Sequence, residues 1–156
     1  MPTNKEHIKI VSSNKKASFN YFLDEFFECG LVLTGTEIKS IRSKTPSLSD
    51  SYAIIRNGEV FLINMNIPVY DKGNIFNHDP LRNRKLLLHK EEIRKLEKKI
   101  DQQGYTLIPT KIYLKAGLAK VEIALAKGKK LYDKRDTIKE KDIKREIDKK
   151  MKGRSY

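Results

Sequence analysis

The sequence predicts a mainly β fold, an antiparallel barrel closed or partly open, with flanking helices and a basic tail that has no core of its own. Three observations carry this prediction. Two strand-forming stretches, residues 52–56 and 59–64, are joined by Asn57-Gly58, the residue pair that most favours a two-residue hairpin. In residues 118–126, Val121, Ile123 and Leu125 alternate with Lys120, Glu122 and Ala124, the period of a strand with one buried and one wet face. Beyond Gly128 the apolar residues thin out and lysine takes over.

Taken in chain order, Asn14-Lys15-Lys16-Ala17 is a polar, basic approach to residues 18–29, where Phe19, Phe22, Leu23, Phe26 and Phe27 stand at helical spacing. That stripe predicts an amphipathic helix facing the core, ended by Gly30. The period then changes to two: Leu31 and Leu33 alternate with Val32 and Thr34, and residues 36–42 alternate imperfectly around Ile38. Pro46 and the Ser/Asp cluster of residues 47–51 read as a loop before the hairpin. Residues 68–80 are irregular, with turn formers in Asp71-Lys72-Gly73-Asn74 and Asn77-His78-Asp79-Pro80. Arg82-Asn83-Arg84-Lys85 leads into three leucines. A helix is expected from Lys90 through Ile93, Leu96 and Ile100 to Gly104, its outer face covered by Lys and Glu. Strands over 105–114 and 118–126, turned by Lys115-Ala116-Gly117, complete the body.

From residue 127 onward 13 Lys or Arg face 6 Asp or Glu, so this segment carries +7 of the chain's formal +13. Ile143, Ile147 and Met151 recur every four residues, a stripe too thin to bury much area. The expectation is therefore a body over residues 1–127 and a tail over 128–156 that is disordered when free and helical when bound.

A charge of +13 with a pI near 9.7 points to a polyanionic partner, nucleic acid ahead of a membrane surface. With no apolar run of spanning length and no signal-peptide stretch behind the first charges, a cytoplasmic location without membrane association is expected. Cys29 is the only cysteine and His7, His78 and His89 show no ligand spacing, so neither metal nor cofactor is expected. No nucleophile elbow, phosphate loop or dinucleotide fingerprint is present, and His78 beside Asp79 reads as a turn rather than an acid–base pair. Enzyme chemistry has no foothold. RNA binding is better supported: Lys15 and Lys16, then Arg82, Arg84 and Lys85, then Lys120 supply phosphate contacts beside apolar and aromatic side chains suited to unpaired bases. A structural protein of ribosome assembly that binds ribosomal RNA would use the same surface.

Four motifs recur here in one order and spacing: Asn14-Lys15-Lys16-Ala17; Gly35-Thr36-Glu37-Ile38-Lys39-Ser40-Ile41-Arg42; Asn77-His78-Asp79-Pro80 with Arg84-Lys85-Leu86-Leu87-Leu88; and Gly128-Lys129-Lys130-Leu131-Tyr132-Asp133-Lys134-Arg135. In these the chain resembles the SmpB family, the bacterial SsrA-binding proteins, over nearly its whole length. The resemblance implies an OB-like barrel with flanking helices that binds the tRNA-like domain of transfer-messenger RNA (tmRNA). It also implies delivery to ribosomes stalled on messages lacking a stop codon, where the tail meets small-subunit RNA at the decoding centre and lies in the vacant mRNA channel. A monomer is expected in the tmRNA complex.

Carried over by position, the resemblance places Glu37, Leu87 and Lys120 in the tmRNA-binding surface, with Asn14, Lys15 and Arg84 in its motifs. Lys129 and Lys130 form the anchor of the tail, and Tyr132, Asp133, Lys134 and Arg135 the part that works in the ribosome. Lys120 suits phosphate, Leu87 an unstacked base, and Glu37 base amino groups or a neighbouring lysine. Without the resemblance, Glu37 would read as a strand carboxylate paired with Lys39 or Lys120. Phe19 and Tyr132 stand where histidine is common in the family; both can stack on a base, and neither carries a titratable imidazole.

Overall fold

A computed structural model describes residues 7–72 and 77–129. Among the described residues, seven strands and three helices follow one another as β1 (Ile8–Ser13), α1 (Ala17–Asn20), β2 (Tyr21–Leu31), α2 (Gly35–Ser43), β3 (Tyr52–Arg56), β4 (Glu59–Ile63), β5 (Arg84–Leu87), α3 (Lys90–Gln103), β6 (Thr106–Lys115) and β7 (Leu118–Gly128). All pairings are antiparallel, in the order β1-β6-β3-β4-β5-β2-β7, and β7 pairs again with β6. That last pairing closes the sheet into the barrel the hairpins predict, and closure leaves fewer strand edges open to another chain. Long β6 makes this possible: it pairs with β7 along its length, with β1 over residues 111–115, and with β3 only through Leu107 and Ala53.

The hairpins form where expected. Asn57 and Gly58 take φ of 53° and 75°, the left-handed pair whose twist matches the flanking strands. Ala116 and Gly117 do the same at 51° and 81°, and here an alanine occupies a conformation that its Cβ disfavours by about 1–2 kcal/mol. Ala116→Asn is therefore expected to stabilise the protein by about 1 kcal/mol, readable as a raised midpoint in chemical denaturation. Gly104, at φ 70°, caps α3 as its position predicts.

Two expectations are overturned. Residues 18–29 do not form a helix: after the single turn of α1 the chain becomes the eleven-residue strand β2. Phe27, Cys29 and Leu31 enter the core at a period of two, while Phe22 and Phe26 are each 51% exposed. The burial alternation runs in phase along β2; the helical spacing arises because apolar side chains stand at covered positions, Leu23 and Phe27, and at exposed ones, Phe22 and Phe26, alike, while a register shift against β7 lies between Leu23 and Phe26. Gly30 consequently lies inside β2 rather than ending a helix.

Residues 36–42 are not extended but lie in α2. Thr34 caps it: its Oγ1 accepts from the Glu37 N–H, and Glu37 Oε1 accepts from the Thr34 N–H at 2.8 Å. This is the capping box that Thr34-x-x-Glu37 encodes. The helix buries Glu37, Ser40 and Ile41, so its inner face is mostly polar and gives no apolar period to read. Strand β1 lies in a stretch of the sequence given no element above.

Val60, Leu62, Leu86, Leu107, Ile112, Val121, Ile123 and Leu125 fill the barrel, with Leu96 of α3 closing it. A smaller cluster of Ala17, Ile108 and Ala126 seats α1 on the outer face.

Candidate nucleic-acid interface

Register fixes which side chains share the outer face. Gly30 of β2 lies opposite Leu87 of β5 on one side and Lys120 of β7 on the other, and Lys120 lies opposite Tyr113 of β6, which lies opposite Ile10 of β1. The result is a transverse row, Leu87–Gly30–Lys120–Tyr113–Ile10, because residues directly paired across strands project from the same face. Leu87 is 53% exposed and Ile10 56%. Gly30 has no side chain for a reason: a Cβ there would come within 3.2 Å of Leu87 Cβ, so glycine lets Leu87 lie flat against β2. Exposed Val32, Leu118 and Ile8 extend the apolar surface toward one end of the strands.

Charge on this face is organised around Glu28. Its carboxylate accepts the Tyr113 hydroxyl and sits 3.4 Å from Lys115 Nζ. The Tyr113 hydrogen bond, opposed by burial and helped by Lys115 and the nearby Lys120, holds Glu28 below the ordinary carboxylate range. Burial, then Glu28 itself, push the Tyr113 hydroxyl up, so it remains a donor. Glu122 is likewise engaged by Lys111 at 3.7 Å and by Thr110 at 2.7 Å. With its carboxylates already occupied, the face offers apolar surface beside ammonium groups.

Glu37 and Arg84 do something different from what their motifs suggest. Neither side chain is exposed at all. Glu37 is paired neither with Lys39 nor with Lys120: Arg84 Nε donates to its Oε2 at 2.5 Å and Arg82 Nη2 to its Oε1 at 2.6 Å. Arg84 also donates to the carbonyls of Met65 at 2.7 Å and Pro80 at 3.1 Å. Burial alone would raise the Glu37 carboxyl, but Arg82, the Thr34 N–H and Arg84 together bring it below its ordinary value. The pair thus ties α2, the start of β5, the segment just after β4 and the 79–80 turn together, fixing the strand that carries Leu87 at its other end.

His78 and Asp79 do not face each other as an acid–base pair. His78 meets Thr36 Oγ1 and the Ile67 carbonyl, each at 2.9 Å, while Asp79 accepts from the Leu81 N–H at 3.0 Å. Cys29 is fully buried and its thiol is pushed up to about 12 by that burial, the state of a packed side chain rather than a nucleophile. Among the described residues no group of three His, Cys, Asp or Glu is placed to hold a metal, and no helix is long and apolar enough to cross a membrane.

The family described as SmpB protein matches residues 11–153. The chain belongs to the SmpB family. The SsrA-binding protein of Caldanaerobacter subterraneus subsp. tengcongensis is 57% identical to it over 152 residues, covering 97% of this chain and 96% of the relative. That of Thermoanaerobacter pseudethanolicus is 58% identical over 148 residues, covering 95% of each. A solved structure described as "tmRNA-SmpB: a journey to the center of the bacterial ribosome" contains a chain that is 45% identical with a TM-score of 0.65, covering 77% of this chain and 85% of that one.

The fold gathers only part of the motif set. Leu87 and Lys120 flank Gly30 in one row, whereas Asn14 is fixed elsewhere: its backbone N–H donates to the Thr110 carbonyl at 2.7 Å and its side chain to that of Pro109 at 3.0 Å. Pro109 lies about 13 Å along β6 from Tyr113, at roughly 3.3 Å per residue. Exposed Lys15 is the neighbour of Asn14. Lys129 is held by its N–H on the Asn20 carbonyl at 2.8 Å, with Nζ 5.0 Å from the Phe22 ring centre. Lys130, Tyr132, Asp133, Lys134 and Arg135, and with them the expected disorder-to-helix behaviour of the tail, lie outside the described residues. Sequence reasoning missed Gly30, Tyr113 and Ile10; only strand register brings them beside Leu87 and Lys120.

Proposed function

We propose that the chain is a tmRNA-binding adaptor of trans-translation: its body binds the tRNA-like domain, and its tail works on ribosomes stalled without a stop codon. The observation that carries this reading is the row Leu87–Gly30–Lys120, an exposed apolar side chain and an ammonium group two strands apart, in a chain belonging to a family of SsrA-binding proteins. An unstacked base can lie on Leu87 while Lys120 takes an adjoining phosphate. Asn14 and Lys15 add a second contact region beside Pro109. Glu37 and Arg84 act indirectly, by holding β5 and the 79–80 turn in place. The work division is a body over 1–127 and a tail over 128–156, in which Lys129 and Lys130 anchor Tyr132, Asp133, Lys134 and Arg135 for the decoding centre and mRNA channel. The protein acts in the cytoplasm as a monomer on tmRNA, by binding and without a reaction of its own.

The test compares affinity for the isolated tRNA-like domain with affinity for an ordinary tRNA across a salt series. Lys120→Ala is expected to weaken binding and reduce the log–log salt slope by about 0.9, one released counterion. Leu87→Ala should cost about 1 kcal/mol of affinity with the slope unchanged, since the loss is apolar area. Equal affinity for both RNAs, insensitive to either substitution, would point instead to a general ribosomal-RNA binder.

A further inference from the structure

Where β3 and β6 meet through a single residue pair, the barrel wall opens into a cleft of about 700 Å³ between β3, the start of β6, α1 and α3. Tyr52, Ile54 and Ile100 contribute apolar surface, and Asp50, Glu97 and Asp101 contribute three carboxylates against the one ammonium group of Lys16. In a chain of net charge +13, an apolar cleft with a local excess of negative charge selects against RNA, whose phosphates it would repel. It suits a cationic peptide with interspersed apolar residues.

Such a peptide begins at its rim. Asn20 lines the cleft, and its carbonyl holds the Lys129 N–H at 2.8 Å. The chain that continues from there reads Lys130-Leu131-Tyr132-Asp133-Lys134-Arg135, three cations and two large apolar side chains within six residues. We infer that the cleft is an intramolecular docking surface for the basic segment following Lys129, occupied when no RNA holds that segment. The tether favours this occupant over any other: a short connection gives an effective concentration of order mM, so individually weak contacts suffice. Docking covers part of the tail's positive charge until a stronger polyanion competes for it, which restrains the tail's non-specific attraction to RNA. This inference does not depend on which RNA the outer face binds.

The experiment uses the full-length protein with a spin label on Lys144→Cys; Cys29, buried with its thiol pushed up to about 12, stays unlabelled. Amide signals of Ile54 and Thr106 in the cleft are expected to be broadened more than those of Ile8 and Leu118. In the same labelled chain carrying Glu97→Gln and Asp101→Asn, both at exposed positions, the Ile54 and Thr106 signals should recover by about twofold or more. Broadening indifferent to the two neutralisations would reduce the effect to tethering alone and overturn the inference. So would broadening that arises only between a spin-labelled copy and a separate isotope-labelled copy, which would make the occupant a second molecule.

Discussion

Glu37→Ala is expected to lower folding stability by about 3–5 kcal/mol, because it strands Arg84 as an uncompensated charge in a fully buried position. Arg82, partly exposed, can turn to solvent; Arg84 cannot without breaking its bonds to the Met65 and Pro80 carbonyls. The loss should appear in the denaturation midpoint of the protein alone, with no RNA present. A shift under 1 kcal/mol would return Glu37 to the role of a surface contact. The pH dependence gives a second reading. Glu37 has a folded-state value depressed below its unfolded value of about 4.5, so its contribution is fully present above that pH and is lost as pH falls through the folded-state value. Glu37→Gln should flatten this acid limb while leaving the slope near neutrality unchanged. Loss of RNA affinity in either variant would then follow the loss of stability, whereas Leu87→Ala and Lys120→Ala should reduce affinity at unchanged stability.

That contrast explains what could be read from the sequence and what could not. Hairpins were legible because Asn57-Gly58 and Ala116-Gly117 act locally, and α3 because its stripe and its glycine cap agree. The same local reasoning misleads at β2, where apolar residues on covered and exposed positions together imitate a helical period, and at α2, whose buried face is Glu37, Ser40 and Ile41 rather than a run of leucines. The Thr34-x-x-Glu37 capping box is the signal that marks α2, and it lies in polar side chains rather than in an apolar period. At the interface, Leu87 and Lys120 could be singled out by motif, but their adjacency is a product of strand register. Gly30 joins them through the absence of a side chain, which no motif of chemical groups would flag. Burial of Arg84 was illegible for a related reason: a basic run before a strand reads as solvated charge, and only the closed barrel and the carboxylate of α2 give one of its arginines a place inside.

Deleting residues 132–156 should abolish tagging on ribosomes stalled without a stop codon yet reduce affinity for the isolated tRNA-like domain by less than about tenfold, the scale of a few exposed charges. The deletion removes ten Lys or Arg and six Asp or Glu, a net loss of four positive charges, and none of the row Leu87–Gly30–Lys120. It also leaves the last described contact, Lys129 on Asn20, in place, so the body's fold should be unaffected. On the proposed division, tail charge contributes to RNA affinity through counterion release, which is weak per contact at physiological salt and indifferent to sequence, and discrimination is expected from the body. A truncated protein should therefore still prefer the tRNA-like domain over ordinary tRNA by the same ratio as the full chain, with a shallower salt slope for both. Tagging has no such reserve, because the segment assigned to the decoding centre is gone. Parallel losses of affinity and tagging would place RNA-binding energy in the tail and break the division between body and tail, while tagging that survives the deletion would remove the tail from the ribosomal step altogether.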